Sequence, residues 1–133
     1  MRSIKEEIRV RWRETDSAGI VHFSNFFMYF EVAEQKFLRE VLKLDLAVAA
    51  QNRVLRLPRV EAHCQYTSPA RYDDLLEVEL NIAAIGRSSI TYTFSILNKT
   101  TGKISANGSV KVVAVDQNFK PVEIPPDILE LLK

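Results

Sequence analysis

The spacing of hydrophobic and polar positions changes along the chain, which predicts a strand, a long helix and four further strands. Ile8, Val10 and Trp12 alternate with arginines, as expected for a strand with one buried face. From about Ser24 to Lys43 the apolar residues recur at helical spacing. The predicted helical stripe consists of Phe26, Phe30, Ala33, Phe37 and Val41, widened by Phe27, Leu38 and Leu42. Four phenylalanines on one helix need a broad apolar partner, and a sheet supplies one.

Strict alternation returns after the helix in four segments separated by short turns. The positions expected to face the core are Val60, Ala62, Cys64 and Tyr66; Leu76, Val78, Leu80 and Ile82; Ile90, Tyr92, Phe94 and Ile96; and Ile104, Ala106, Gly108, Val110, Val112 and Ala114. Short connections favour antiparallel neighbours. A brief final helix is expected after Pro125-Pro126. The pattern therefore predicts an α+β protein in which one helix covers one face of an antiparallel sheet.

Composition and charge narrow the classes of protein to consider. The 133 residues, 47% hydrophobic and 26% charged, predict a single globular domain over residues 1–133. A net charge of +1 provides no overall field for nucleic acid or an anionic membrane. The single cysteine excludes an internal disulfide or a thiolate metal cluster and fits a reducing cytoplasm. With neither a signal-peptide pattern nor an apolar run of ~18 residues, we expect a cytoplasmic protein with no nucleic-acid partner and no membrane insertion.

The densest group of polar residues lies between the first strand and the helix, over residues 13–25. The start of a long helix presents unpaired N–H groups and a positive dipole end, which favour an anion or a polarised carbonyl oxygen. Asp16, a few residues earlier, is a candidate general base beside such an electrophile. The simpler interpretation is that Asp16 only stabilises a turn, as aspartates often do. Spacing alone favours the turn.

The same segment carries a resemblance to a known family. Residues 14–26 (ETDSAGIVHFSNF), followed by Tyr29-Phe30-Glu31, resemble the signature of hotdog-fold acyl-CoA thioesterases, and most of all the 4-hydroxybenzoyl-CoA thioesterase family with its Tol-Pal-associated members. The resemblance continues through residues 68–74 (SPARYDD), 85–89 (IGRSS), 115–116 and 120–122, and so covers nearly the whole chain. It implies the hotdog fold, in which a curved antiparallel sheet wraps one long helix in the order β-α-β-β-β-β.

The resemblance also implies a mechanism that needs few groups. Asp16 matches the family's catalytic aspartate, which acts as a nucleophile or as a general base for water. The backbone N–H of Phe23 matches the donor that polarises the thioester carbonyl. A thiolate leaves readily near neutral pH, because free thiols have a pKa of about 8.5, so no dedicated general acid is required. The resemblance further implies no metal and no cofactor, since CoA is part of the substrate, and a homodimer or homotetramer with the site between subunits.

Four more residues are candidate substrate-binding groups. His22 precedes Phe23, whereas many family members place an aromatic residue before a histidine, so we expect His22 to line the acyl pocket or to hydrogen-bond the loop. Asn25 either orients the loop or Asp16, or it caps the helix. Arg87 and Ser88 match the region near the CoA nucleotide, where Arg suits phosphate, although a solvated turn arginine is the simpler interpretation of Arg87. Arg71 is expected to contact phosphate or to form a surface ion pair with a nearby aspartate.

Three hypotheses for function follow from these residues. The first is hydrolysis of an acyl-CoA thioester to a carboxylic acid and CoA. The second is a hotdog hydratase or dehydratase, which would use a histidine, and His22 lies in the right loop. The third is a non-catalytic module that binds acyl-CoA or an acyl carrier. Asp16 discriminates among them, because a binding module needs no carboxylate facing the helix start.

Overall fold

The computed structural model of the protein describes residues 3–43 and 56–133. The described elements are β1 (Ser3–Arg9), a one-turn 3-10 helix (Trp12–Glu14), α1 (Asn25–Glu40), β2 (Arg59–Tyr66), β3 (Leu75–Ile85), β4 (Ser89–Asn98), β5 (Lys103–Val113) and α2 (Pro126–Leu132). The predicted order of one strand, a long helix and four strands is confirmed, as is the short final helix. No helix in these two ranges is long and apolar enough to cross a bilayer.

The five strands form one antiparallel sheet in the order β1-β3-β4-β5-β2. In β3 and β4 nearly every second side chain is buried, as the alternation predicts. The α1 stripe packs against this buried face, and the ring of Phe30 stacks on Phe94 of β4 with centroids 4.5 Å apart and an interplanar angle of 11°. The α+β architecture predicted from the sequence is therefore confirmed.

Gly108 of β5 lies directly against the Phe30 ring of α1. A Cβ atom at this position would come within 2.5 Å of both the His63 carbonyl oxygen and the Phe30 ring. A glycine inside a strand often marks such a close approach. Gly108 therefore gives the Phe30 ring the room it needs to lie flat on the sheet.

The structure corrects the predicted burial of three residues, Trp12, Val60 and Tyr66. Trp12 was expected in a buried strand face, but its side chain is 79% exposed because the chain leaves β1 after Arg9 and turns into the 3-10 helix. Val60 and Tyr66 were expected in the core, yet they are 53% and 44% exposed. Both lie on β2, which pairs with β5 and, among the residues that the structure describes, forms one edge of the sheet, so alternation there does not mean burial.

One charged residue of α1 is buried, although the helical pattern places it on the exposed face. Glu34 belongs to the polar face by pattern, but it is buried and forms an ion pair with Arg59 of β2. Arg59 lies about 4.0 Å from Glu31 as well. A charge in the middle of the helix is tolerated in the core because β2 supplies its counter-ion.

We predict that Gly108→Ala destabilises the protein by roughly 1–3 kcal/mol, because the new methyl group overlaps the Phe30 ring and a backbone oxygen. Urea unfolding measures the change. Ser109→Ala, at the next position of the same strand, is the control and should shift the midpoint little. Equal stability of Gly108→Ala and the wild type would contradict the proposed close packing.

A second prediction concerns Glu34. Burial raises the pKa of its carboxyl above the ordinary value of 4.5, although the Arg59 charge opposes the increase. A carboxyl with a higher pKa in the folded state binds its proton more tightly there, so its contribution to stability falls as pH rises from the unfolded-state pKa through the folded one. Glu34→Gln should therefore gain stability relative to the wild type as pH rises from about 4 to about 8.

Urea unfolding of both proteins across this pH series is the measurement. Arg59→Gln provides a companion variant, because removing the counter-ion should make the loss of stability with pH steeper while Glu34 is present. A difference between wild type and Glu34→Gln that is constant with pH would contradict the prediction.

Candidate active site

The segment between the 3-10 helix and α1 folds as a small hairpin. The N–H of His22 donates to the Glu14 carbonyl at 2.9 Å, and the N–H of Asp16 donates to the Ile20 carbonyl at 2.9 Å. Gly19 closes the tip with φ of +80°, a conformation that favours glycine. The hairpin therefore carries Asp16 at its tip and returns the chain directly to the start of α1.

The two carboxylate oxygens of Asp16 have different surroundings. Oδ1 accepts the N–H of Ala18 at 2.8 Å, so this oxygen holds the turn. Within the described ranges, Oδ2 has no hydrogen-bond partner, and Asp16 lines a cavity of about 670 Å³. Both interpretations of Asp16 from the sequence thus fit one residue: one oxygen stabilises the turn and the other is available for chemistry.

A second turn, at Asp116, has similar hydrogen bonds and shows which property is specific to Asp16. Asp116 receives the N–H of Asn118 on its Oδ1 at 2.8 Å, and its own N–H donates to the Lys120 carbonyl at 2.9 Å. Asp116 does not line the cavity that Asp16 lines. Turn geometry alone therefore does not distinguish Asp16; its position against the cavity does.

The start of α1 forms the other side of the site. Asn25 is the first helical residue, and the preceding Ser24 makes no side-chain cap. In the part of the chain that the structure describes, the N–H of Phe23 has no hydrogen-bond acceptor, and Phe23 lines the same cavity as Asp16. An unpaired N–H at a helix start is a donor for a carbonyl oxygen that gains negative charge.

The cavity is open to solvent and mostly apolar around these two polar groups. Its lining consists of Asp16, Ala18, Ile20, Val21, Phe23, Phe26, Tyr66, Thr67, Ser68, Pro69 and Ala70. The hairpin is joined to the segment after β2 by the Val21 N–H, which donates to the Ala70 carbonyl at 2.7 Å. The end of β2 thus forms the wall opposite the helix start.

Tyr66 is a site residue that the sequence analysis assigned to the core instead. Its ring meets Phe26 and Phe23 edge to face, and its hydroxyl donates to the Phe23 carbonyl at 3.2 Å. Burial, followed by the neighbouring Cys64 thiol, raises the pKa of the Tyr66 hydroxyl to about 12. The phenol therefore keeps its proton, and its bond to Phe23, throughout the neutral range.

His22 and Asn25 both serve the loop. His22 Nδ1 lies 2.8 Å from the Ser24 hydroxyl and its ring packs on Phe23. The Asn25 side chain donates from Nδ2 to the Glu14 carbonyl at 2.8 Å, which ties the helix start to the hairpin. Neither residue lines the cavity in this chain.

Arg87 and Ser88 lie far from Asp16 within one chain. They occupy the β3–β4 turn, at the end of the sheet where Ser89 pairs with Val113 and Arg59 with Val112. The Arg87 side chain forms an exposed ion pair with Glu123 at 3.1 Å. The Asp16 hairpin lies at the opposite end of the sheet, beside the last residues of β2.

Arg71 does not form the expected ion pair with Asp73 or Asp74. Its backbone N–H donates to Asp74 Oδ2 at 2.9 Å, while Asp73 lies 3.8 Å from Arg9 instead. The β2–β3 connection is thus held by backbone donors and by an arginine from β1.

Comparison with known proteins identifies the family. A model of the thioesterase-like superfamily matches residues 10–132. The chain belongs to this superfamily. It is 37% identical over 125 residues to a protein of Aquifex aeolicus (strain VF5) that is named as an esterase, and the match covers 94% of both chains. It is 28% identical over 127 residues to the acyl-CoA thioester hydrolase YbgC of Escherichia coli O6:H1, covering 95% of this chain and 92% of YbgC.

The fold agrees with solved structures of such thioesterases. A 1,4-dihydroxy-2-naphthoyl-CoA thioesterase from Synechocystis superposes with a TM-score of 0.91 at 22% sequence identity, covering 98% of this chain and 96% of the other. The hotdog fold and the thioesterase family implied by the sequence resemblance are therefore confirmed.

Proposed function

We propose that Asp16 and the backbone N–H of Phe23 carry out the reaction of this thioesterase. As a member of the superfamily the protein hydrolyses acyl-CoA thioesters to a carboxylic acid and CoA. One observation supports the assignment above the others. A carboxylate oxygen and a helix-start N–H, both without partners among the described residues, line the same cavity.

The chemistry follows from these two groups. The thioester oxygen accepts the Phe23 N–H, which stabilises the negative charge that this oxygen gains when the carbonyl carbon is attacked. Asp16 Oδ2 either attacks that carbon, forming an anhydride that water then hydrolyses, or removes a proton from an attacking water molecule. In both routes the C–S bond breaks and CoA leaves as a thiolate that takes up a proton from water. General-base assistance is typically worth ~10²–10⁴ in rate, and an oxyanion donor ~10²–10³.

The position of His22 argues against the hydratase alternative. Its Nδ1 is engaged with Ser24, and no histidine is among the cavity-lining residues in the described ranges. Asp16 argues against a module that only binds, because recognition of a thioester does not require a carboxylate beside its carbonyl. We propose that the enzyme works in the cytoplasm and without a cofactor, CoA being part of the substrate.

We propose further that the enzyme is at least a homodimer formed through β2. This edge strand is exposed on both faces over almost its whole length, and it presents unpaired backbone groups and apolar side chains such as Val60. Exposed edges of this kind pair readily with another strand. Antiparallel pairing of β2 with its copy is closed and two-fold symmetric, which is the commonest form of oligomer.

The two-fold pairing would also complete the site. Antiparallel copies of β2 place the Arg59 end of one chain beside the Tyr66 end of the other. The turn that carries Arg87 and Ser88 shares the Arg59 end, so it would approach the Asp16 cavity only from the partner chain. An arginine there suits the phosphates of CoA. A thiol-release screen over aromatic, short-chain and long-chain acyl-CoAs measures the acyl specificity.

We predict that Asp16→Asn lowers thioester cleavage by ~10²-fold or more and leaves acyl-CoA binding within a few-fold. The asparagine side-chain oxygen can still accept the Ala18 N–H, so the turn survives while the basic or nucleophilic oxygen is lost. Thiol release measures turnover, and calorimetric titration with an acyl-CoA measures binding.

Asp116→Asn is the matched control, because it makes the same change in a turn of the same construction outside the cavity. It should retain wild-type turnover. Wild-type turnover in a folded Asp16→Asn protein would refute the assignment of Asp16, and a larger loss in His22→Ala than in Asp16→Asn would favour a histidine mechanism.

For the dimer, we predict that Val60→Asp converts the protein to monomers and removes most activity. Each new aspartate would bury an unpaired charge between the two copies of β2, and burying an unpaired charge is costly. Sedimentation velocity gives the oligomeric state, and thiol release is measured on the same samples. Phe119→Asp, which replaces another exposed apolar residue outside β2, is the control. A fully active Val60→Asp monomer would show that one chain suffices.

A further inference from the structure

Glu14 is a buried carboxylate that the reaction does not use directly. Its side chain is only 3% exposed, it does not line the cavity, and both of its oxygens are occupied. Oε1 accepts the Tyr29 hydroxyl at 2.9 Å and the Arg11 N–H at 3.0 Å. Oε2 lies 2.7 Å from both Nε and Nη2 of Arg11. A buried charge is tolerated only when it is paired and hydrogen-bonded in this way.

The backbone of Glu14 is just as fully used. Its carbonyl oxygen accepts the N–H of His22 at 2.9 Å and the side-chain Nδ2 of Asn25 at 2.8 Å. His22 directly precedes Phe23, and Asn25 is the first residue of α1. One residue therefore joins the 3-10 helix, both arms of the hairpin and the helix start.

The bond from the His22 N–H to the Glu14 carbonyl lies on a short covalent and hydrogen-bonded route between the two reacting groups. Asp16 follows Glu14 by two residues on one arm of the hairpin, and Phe23 follows His22 by one residue on the other. The Glu14 side chain fixes this junction to α1 through Tyr29, which is fully buried in the core. A change in the Glu14 side chain that shifts this junction would therefore also change the separation of Asp16 from the Phe23 N–H.

The charge state of Glu14 is suited to a fixed support. Burial disfavours the ionised carboxyl, but the hydrogen bonds from Arg11 and Tyr29 outweigh it and lower the pKa of Glu14. The carboxylate therefore stays ionised through the neutral range, and Tyr29 and Arg11 keep their acceptor.

We propose that Glu14 is a positioning residue, which holds Asp16 and the Phe23 N–H at the separation that thioester hydrolysis requires. The proposal rests on the assignment of those two groups made above. It differs from a purely structural role in what it predicts, because misplacing two reacting groups affects the chemical step more than it affects substrate binding.

The test uses Glu14→Gln, which keeps the shape of the side chain but faces Arg11 with an amide. We expect kcat for an acyl-CoA to fall roughly 10- to 100-fold with KM changed less than about 3-fold. Tyr29→Phe removes one bond of the network and leaves the buried ring, so it should produce a smaller loss of kcat in the same direction. If Glu14→Gln does not fold, the kcat and KM of Tyr29→Phe test the proposal instead.

Two comparisons make the outcome decisive. Leu132→Ala removes a buried side chain from α2 and controls for loss of stability alone; an equal fall in its kcat would overturn the positioning role. Asp16→Asn is assayed in parallel. If Asp16→Asn is inactive while Glu14→Gln and Tyr29→Phe keep wild-type kcat, the positioning role is wrong and the assignment of Asp16 stands. If Asp16→Asn is active, both fail.

Discussion

The contact of α1 with the concave face of the sheet determines where everything else in the molecule lies. Phe30 stacks on Phe94 and lies against the backbone of Gly108, so the helix rests on the sheet at a depth set by the absence of one methyl group. Because α1 is a rigid rod of 16 residues, fixing its middle also fixes its first turn. The N–H of Phe23, just before this turn, is therefore positioned by aromatic packing several residues away. A group that stabilises a transition state gains from such support, since it does not have to reorganise when charge develops.

The hairpin before α1 shows how little separates a structural aspartate from a reactive one. Asp16 and Asp116 shape two turns of the same chain with two bonds of the same kind, and Asp116 Oδ1 also accepts the Lys120 N–H at 3.1 Å. What differs is the surroundings: Asp16 faces an apolar cavity next to a helix start, and Asp116 does not. A carboxylate beside low-polarity walls interacts more strongly with a polarised carbonyl than one in water does. Reactivity here is a property of placement and not of local conformation.

The sequence predicts the elements and fails where burial depends on distant partners. The alternation in β3 to β5 and the stripe of α1 report local periodicity, and these elements are present as predicted. Val60 and Tyr66 alternate in the same way, but β2 is an edge strand. In the described part of the chain its side chains stay exposed, and its own residue pattern does not reveal this. Glu34 is buried because Arg59, 25 positions later, lies opposite. Such pairings depend on the topology of the fold, and the spacing of apolar residues within one element does not predict them. At the site, Asp16 and Phe23 were found by resemblance, whereas the spacing by itself favoured a simple turn.

Pairing of β2 with its own copy would explain both the exposure of this strand and the distance between Arg87 and Asp16 within one chain. Within residues 3–43 and 56–133, one long helix fills a single concave sheet, and no second layer is present that could enclose a large ligand. The cavity beside Asp16 is accordingly open on one side, and its exposed wall belongs to β2, which pairs with β5 and has no second strand beside it in the described part of the chain. Pairing β2 with its own copy would supply the missing wall, cover the apolar side chains of the edge and bring a basic turn to the entrance. A second protein of different sequence would have to meet each of these requirements separately, and the copy meets them through symmetry alone.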